Sequence, residues 1–204
     1  MATQIATTHL SVSRSRPDRF DERSLVETAR SDPNAFAELY RRHVDQIYGY
    51  AFRRSRSQSI AEDVTSATFE KALQGLSSFR WREPGIAPWL FRIASNELAN
   101  YYRGDNRQTQ ASQSLAAVAE VHANDPAIEL SETNDDLFQA LAMIKPRYQR
   151  ALSLRYFADL SNEEAAAAMG VNRGTMAVVL HRGTAALRKA LEQISAGDQV
   201  NIDD

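Results

Sequence analysis

With 204 residues, 43% of them hydrophobic, the chain can fill one medium core or two small ones, and no apolar run approaches the ~20 residues of a bilayer span. The absence of cysteine excludes disulfide frameworks, thiolate metal sites and cysteine nucleophiles. The net charge of −2 hides a partition: residues 24–103 carry 11 Lys+Arg against 9 Asp+Glu, residues 137–194 carry 8 against 4, and residues 104–136 carry 1 against 7. Two basic bodies joined by an acidic strap suit a nucleic-acid partner better than the total suggests.

Residues 1–23 are polar, with scattered arginines and no continuous apolar core. They read as a mobile extension and not as a secretory signal, which favours a cytoplasmic protein with no membrane insertion. Helical spacing starts at Ser24. Asp32 followed by Pro33 has the form of an N-cap with proline at the first helical position, where its missing N–H costs nothing. Behind it Phe36, Leu39, Tyr40, Val44, Ile47 and Tyr48 recur at three- and four-residue intervals. Ser59 with Glu62 reads as a capping box for the next helix, whose apolar positions are Val64, Ala67, Phe69, Ala72 and Leu73. Glycines and prolines between Gly75 and Pro88 interrupt the pattern, and a further helix is predicted from about Trp89 to Arg103.

Residues 104–133 have the composition of a linker. Periodicity returns at Leu137, Leu141 and Ile144, and Pro146 opens another helix. Ser161 and Glu164 form a capping box, Gly170 suits a left-handed helix end, and Asn172 caps a last helix running to about Ile194. Residues 195–204 read as a tail. Strand-like alternation is nowhere convincing, so the fold class is all-α. Two small helical domains, 24–103 and 134–194, are joined by a flexible acidic linker.

Two constellations carry functional information. Residues 161–182 have the grammar of a helix-turn-helix: a short capped helix, a glycine-containing turn and a longer second helix. In that second helix Met176, Leu180, Leu187 and Leu191 fall on an inner side. Thr175, Val178, Arg182 and Lys189 fall opposite, where a major groove could be read; Arg173 and Val179 flank them. The plain alternative is a helical hairpin with a solvated face. The second constellation is the loop and helix from Phe79 to Arg103. At ~100° per residue, Leu90, Ala94, Leu98 and Tyr101 share one face, while Trp89, Arg92, Asn96, Asn100 and Arg103 share the other. The preceding loop adds Phe79, Arg80, Trp81 and Arg82. Arginines that track phosphates, interleaved with rings that stack on splayed bases, suit a single strand. The alternative is that Phe79, Trp81 and Trp89 are core aromatics.

Three segments together resemble the extracytoplasmic-function sigma factors of the sigma-70 family: AEDVTSATFEKAL (61–73), PWLFRIASNELANYYR (88–103) and LSNEEAAAAMGVNRGTM (160–176). The resemblance implies a polymerase-binding helix, a helix engaging the −10 element, and a helix-turn-helix reading the −35 element. It implies that Glu62, Asp63, Thr65 and Phe69 grip the clamp helices of the polymerase β′ subunit. The loop 79–87 would hold a flipped base of the non-template strand, with Asn96 and Asn100 near the −10 bases. The second domain would sit on the β flap, and the linker would thread a basic channel; an anti-sigma factor is a further partner that many relatives have. This chain departs from the pattern where Gly174 and Thr175 are followed by Met176, Ala177, Val178 and Val179 instead of small polar and basic residues, and where Ala67 replaces a common acidic one.

No catalytic, metal or cofactor site is expected. His9, His43, His122 and His181 lack metal-ligand spacing, no glycine-rich phosphate loop is present, and Asp125, Glu129 and Glu132 read as a solvated linker. Two other readings stay open. One is a free-standing helix-turn-helix regulator whose first domain senses or dimerises; the other is a pure protein-interaction module. Initiation with core polymerase separates the regulator, and salt-dependent DNA binding separates the module.

Overall fold

Helix ends in this chain are set by short-range chemistry. The computed structural model describes the backbone of residues 19–111 and 132–200 and the side chains of residues 22–103 and 135–196. α1 spans Arg19–Thr28, α2 Pro33–Ser55 and α3 Gln58–Gly75, followed by a tight 3-10 turn at Leu76–Ser78. α4 spans Ala87–Ala111, α5 Glu132–Met143, α6 Pro146–Leu152, α7 Asn162–Met169 and α8 Arg173–Val200; a wider π turn at Ser153–Phe157 extends α6.

The expected caps at α2, α7 and α8 are present. Asp32 accepts from Asn34 N at 2.8 Å, with Pro33 behind it. Ser161 and Glu164 exchange both bonds of the capping box, at 2.9 and 3.2 Å. Gly170 ends α7 at φ 70°, in the left-handed region that costs a Cβ-bearing residue energy. Asn172 accepts from Thr175 N at 2.7 Å. Each such cap is worth about 1 kcal/mol.

Other boundaries differ from expectation. The cap of α3 is Ser57, not Ser59: its hydroxyl accepts from Ile60 N, because α2 stops one residue earlier with Arg56 in the left-handed region. Residues 19–23, read as part of a mobile extension, open α1; Val26 and Ala29 on this side of the chain are buried in the first core. α4 runs past Arg103 to Ala111, and α8 past Ile194 to Val200. Tyr101, placed on the inner face, is exposed. The rest of the extension (1–18), most of the linker (112–131) and the last four residues lie outside the described residues.

Leu39 and Ile47 of α2, Val64 and Phe69 of α3, and Leu90, Phe91 and Ala94 of α4 form the first core, with Val26 sealing one end. Each fully buried side chain of this size contributes roughly 1.5–3 kcal/mol. Tyr50 and Ser95 add a buried hydroxyl pair 3.0 Å apart; burial pushes the Tyr50 phenol pKa up. A second cluster joins Ala140 and Leu141 of α5 and Ile144 just after it to Leu152 of α6 and Ala190 of α8. The two bodies touch. α4 lies against α7 and α2 against the π turn, and the first apolar cluster continues into Leu154, Ala165, Met176 and Val179.

Candidate nucleic-acid interface

α4 has two halves with different surroundings. Toward its C-terminus Asn96, Asn100 and Arg103 are exposed and recur at four and three residues, one stripe on the outer face. Arg103 donates to Asn100 Oδ1 at 2.7 Å and to Ala99 O at 3.1 Å, so this stripe is pre-arranged within its own helix. Toward the N-terminus the expected residues are engaged. Trp89 is half-buried, its ring centroid 4.9 Å from that of Phe79, and a Cβ on Gly75 would lie 3.2 Å from it. The tryptophan on the polar face is thus covered by the preceding loop.

Arg92 reaches the second body. Its Nε donates to Ala168 O at 3.0 Å and its Nη2 to Ala167 O, two carbonyls at the C-terminal end of α7, where the helix dipole favours a cation. Around it Arg53 donates to Phe157 O at 2.7 Å, Arg54 to Gln149 Oε1 at 2.8 Å, and Arg150 to Arg92 O at 3.4 Å. Burial lowers the pKa of the Arg150 guanidinium. Arg56 pairs with Asp135 and lies 4.7 Å over the Phe138 ring.

In the loop before α4, Arg80 and Arg82 are exposed while Phe79 and Trp81 are half-buried. Cations point outward and rings lean on the core. This lies between the two sequence readings, since the rings pack without being sealed.

In the helix-turn-helix, α7 and α8 meet through Ala165, Ala166, Ala168 and Met176, all buried. Val178 is 49% exposed and Arg182 exposed beside it, as expected of an outer face; Thr175 is half-buried. Val179 is the correction: it is 2% exposed, although the sequence reading set it on the surface. Met176, Val179, Leu180 and Gly183 follow the i, i+3, i+4, i+7 spacing of one buried stripe, and Val179 belongs to it. Arg173 is exposed and lies 3.8 Å from Glu163. A cavity of about 320 Å³ opens between Arg147, Tyr148, Gly174, Thr175, Val178, Val179 and Arg182. Arg147 was missed by the sequence reading. Only the fold of α6 against α8 brings it there.

Two of the four expected polymerase contacts are also corrected. Glu62 and Asp63 are exposed on α3, but Thr65 and Phe69 are buried. Thr65 sits one turn after Ala61 and donates to its carbonyl at 2.6 Å, and Phe69 packs edge-on against Tyr40 at 4.6 Å. Ala61, Thr65, Phe69 and Ala72 form the inner stripe of α3. Leu73, 55% exposed, and Tyr40, 40% exposed, are the apolar side chains this side of the molecule does present. Among the described residues no cluster of His, Asp and Glu could hold a metal ion, and no helix is long and apolar enough to cross a membrane.

Residues 39–108 match Sigma-70 region 2, and residues 134–187 match Sigma-70, region 4. The chain is 34% identical over 160 residues to RNA polymerase sigma factor YlaC of Bacillus subtilis (strain 168), covering 76% of this chain and 91% of YlaC. It is 29% identical to ECF RNA polymerase sigma factor BldN of Streptomyces coelicolor, over 82% of this chain but only 64% of that longer protein. Among solved structures, one of CnrH in complex with the cytosolic domain of CnrY shares the fold, with a TM-score of 0.59, 22% identity, and coverage of 84% of this chain and 97% of the other. The complex of the sigma factor RpoE with the anti-sigma factor NepR from Bartonella quintana matches with a TM-score of 0.56 and 26% identity, covering 77% of this chain and 96% of the other. The helices α2 to α4 with their Asn/Arg stripe, followed by a capped helix-turn-helix, match both regions in order, and the chain belongs to the sigma-70 family of RNA polymerase sigma factors, in its extracytoplasmic-function group.

Proposed function

We propose that this sigma factor binds core RNA polymerase in the cytoplasm, recognises both promoter elements and melts the −10 segment. Residues 24–103 take the core-binding and −10 role, and residues 134–194 the −35 role. The observation that carries this reading is the exposed stripe of Asn96, Asn100 and Arg103 on α4, followed by the exposed Val178 and Arg182 on α8. Amide and guanidinium groups on one helix face can engage bases and phosphates of an opened strand. A capped helix-turn-helix with a cationic outer face can enter a duplex major groove. Glu62 and Asp63, with Leu73 and Tyr40 nearby in the same two-helix unit, supply an acidic and apolar surface for the β′ clamp helices. The second body contacts the β flap. An anti-sigma factor is a further partner, as in the RpoE–NepR complex named above.

Run-off transcription with purified core polymerase tests the proposal. A promoter-specific transcript is expected only when the chain is added. A free-standing regulator would bind duplex DNA yet give no transcript from core enzyme. A pure interaction module would do neither.

A further inference from the structure

The loop between Phe79 and Ile86 has little regular structure of its own, so something else must hold it. Within it Gly85 N donates to Arg82 O at 2.9 Å. Both ends rest on the N-terminal segment. At the near end Arg30, just past α1, donates from Nη2 to Phe79 O at 2.8 Å, bridging 49 residues of sequence. At the far end Gly85, at φ +119°, faces Glu22 of α1: a Cβ there would lie 2.8 Å from Glu22 Oε2 and 3.8 Å from the Trp81 ring. A backbone at this φ, which L side chains rarely adopt, and this near a carboxylate suits glycine at residue 85.

Glu22 is only 8% exposed. Its Oε1 lies 3.2 Å from His43 Nε2 of α2, too far off line for a hydrogen bond, so the contact is ionic or polar packing. Packing alone does not call for this residue, because a buried carboxylate costs free energy that an apolar side chain would not. Val26 and Ala29, both buried, already anchor α1. Arg30 bonds the near end of the loop and Glu22 lies against its far end. α1 also precedes residue 39, where the region 2 match begins.

We propose that Glu22 and Arg30 are positioning residues for promoter opening, holding the 79–86 loop so that Trp81 is set to receive an unpaired base. This rests on the reading of that loop as the base-holding element. Loops that bind depend on a rigid scaffold for their geometry, and a ring that stacks gains most when its place is fixed beforehand.

The test uses the full chain with core polymerase on a promoter it initiates from, with 2-aminopurine in the −10 segment reporting base unstacking. Arg30 is exposed, so R30A should fold, and helix content by circular dichroism checks this. Opening by R30A is expected to slow about three- to tenfold, the range of one ordinary net hydrogen bond, because exposure of Arg30 screens its charge, with duplex retention unchanged. R30K should recover part of the rate, and E22Q should slow opening in the same direction. W81A should be slow as well, and W81A/R30A no slower than W81A, because Arg30 acts through the loop. Normal opening by R30A beside slow W81A would overturn the positioning role and leave the loop reading intact. Additive losses in the double variant would overturn it too, by placing Arg30's effect elsewhere. Normal opening by W81A would remove the loop reading, and the inference with it.

Discussion

α4 and α8 are built alike and presented differently. Both bury a stripe of Leu, Ala or Met and turn a polar stripe outward. In α8 the outward residues at the start of the helix, Arg173, Val178 and Arg182, are exposed. In α4 the corresponding first turns are occupied: Trp89 lies under Phe79, and Arg92 caps the end of α7. Asn96, Asn100 and Arg103, further along, are exposed and make no bond to the second body among the described residues. The outward face of α8 is largely displayed, and that of α4 is half used to hold the two bodies together. The contrast shows that residue type on an outward face does not decide what that residue touches. A guanidinium near the carbonyls at a helix C-terminus will bond them in the absence of DNA.

The sharpest way to break the comparison is inside α8 itself, where the outward and inward stripes are adjacent in sequence. V179R puts a cation where Val179 is 2% exposed and should cost about 2–4 kcal/mol. V178S, one residue away on the open face, should stay within about 0.5 kcal/mol. Urea unfolding of the two variants measures both. Equal losses would mean the helix is rotated from the position described.

These cases also show what could be read from the sequence. Asp32, Ser161 with Glu164, Gly170 and Asn172 were legible because a cap bonds to residues two to four positions away. Ser57 was missed because Ser59 and Glu62 mimic the same local pattern two residues late. Thr65 and Phe69 were set outward by likeness to family segments, and Val179 by its place beside Val178, whereas the 3.6-residue phase of their own helices puts all three inside. Tertiary partnerships left no local trace. Nothing near Arg92 announces the α7 carbonyls, 75 and 76 residues on, and nothing near Phe79 announces Arg30.

The next effect concerns the contact between the bodies. Arg92 gives two charged hydrogen bonds to α7, partly exposed, and R92A should weaken the closed packing by about 1–2 kcal/mol. The chain has no cysteine, so D45C and R188C permit site-specific dyes for energy transfer between the bodies. R92A should lower transfer efficiency, and N96A, on the open half of α4, should not. If both variants leave transfer unchanged, the remaining arginine contacts suffice and Arg92 does not control the packing.

A smaller effect should distinguish cations that meet DNA from those that do not. Arg147 and Arg182 line one cavity on the outer side of α8. Each phosphate neutralised adds ~0.9 to the slope of log affinity against log salt, so R147A and R182A should each lower the slope of duplex binding by about that amount. R23A, on α1 and paired with Glu27 at 3.3 Å, should leave it alone. A slope unmoved by R147A would confine the contact to α8.

The smallest effect is the most specific. Val178 is 49% exposed on α8, between Thr175 and Arg182 in the outer stripe, and borders the same cavity as both. An exposed branched apolar side chain there has two uses. It can touch the C5-methyl of a thymine in the major groove, which distinguishes A·T from its alternatives by apolar contact, or it can form part of a patch for a protein partner. The neighbours favour DNA, because a cation on each side of the cavity, Arg147 and Arg182, suits a phosphate-lined groove better than an apolar protein surface. The substitution that separates the two is V178S alone. Val179 must stay, since changing it would confuse recognition with stability. Selection of −35 sequences from a random duplex pool by the holoenzyme should then show weaker preference for thymine at one position, by roughly 1 kcal/mol or less, with the other positions unchanged. If V178S selects the same sequences as the parent chain while binding of the polymerase flap or an inhibitor protein weakens, Val178 faces protein and the thymine contact is wrong.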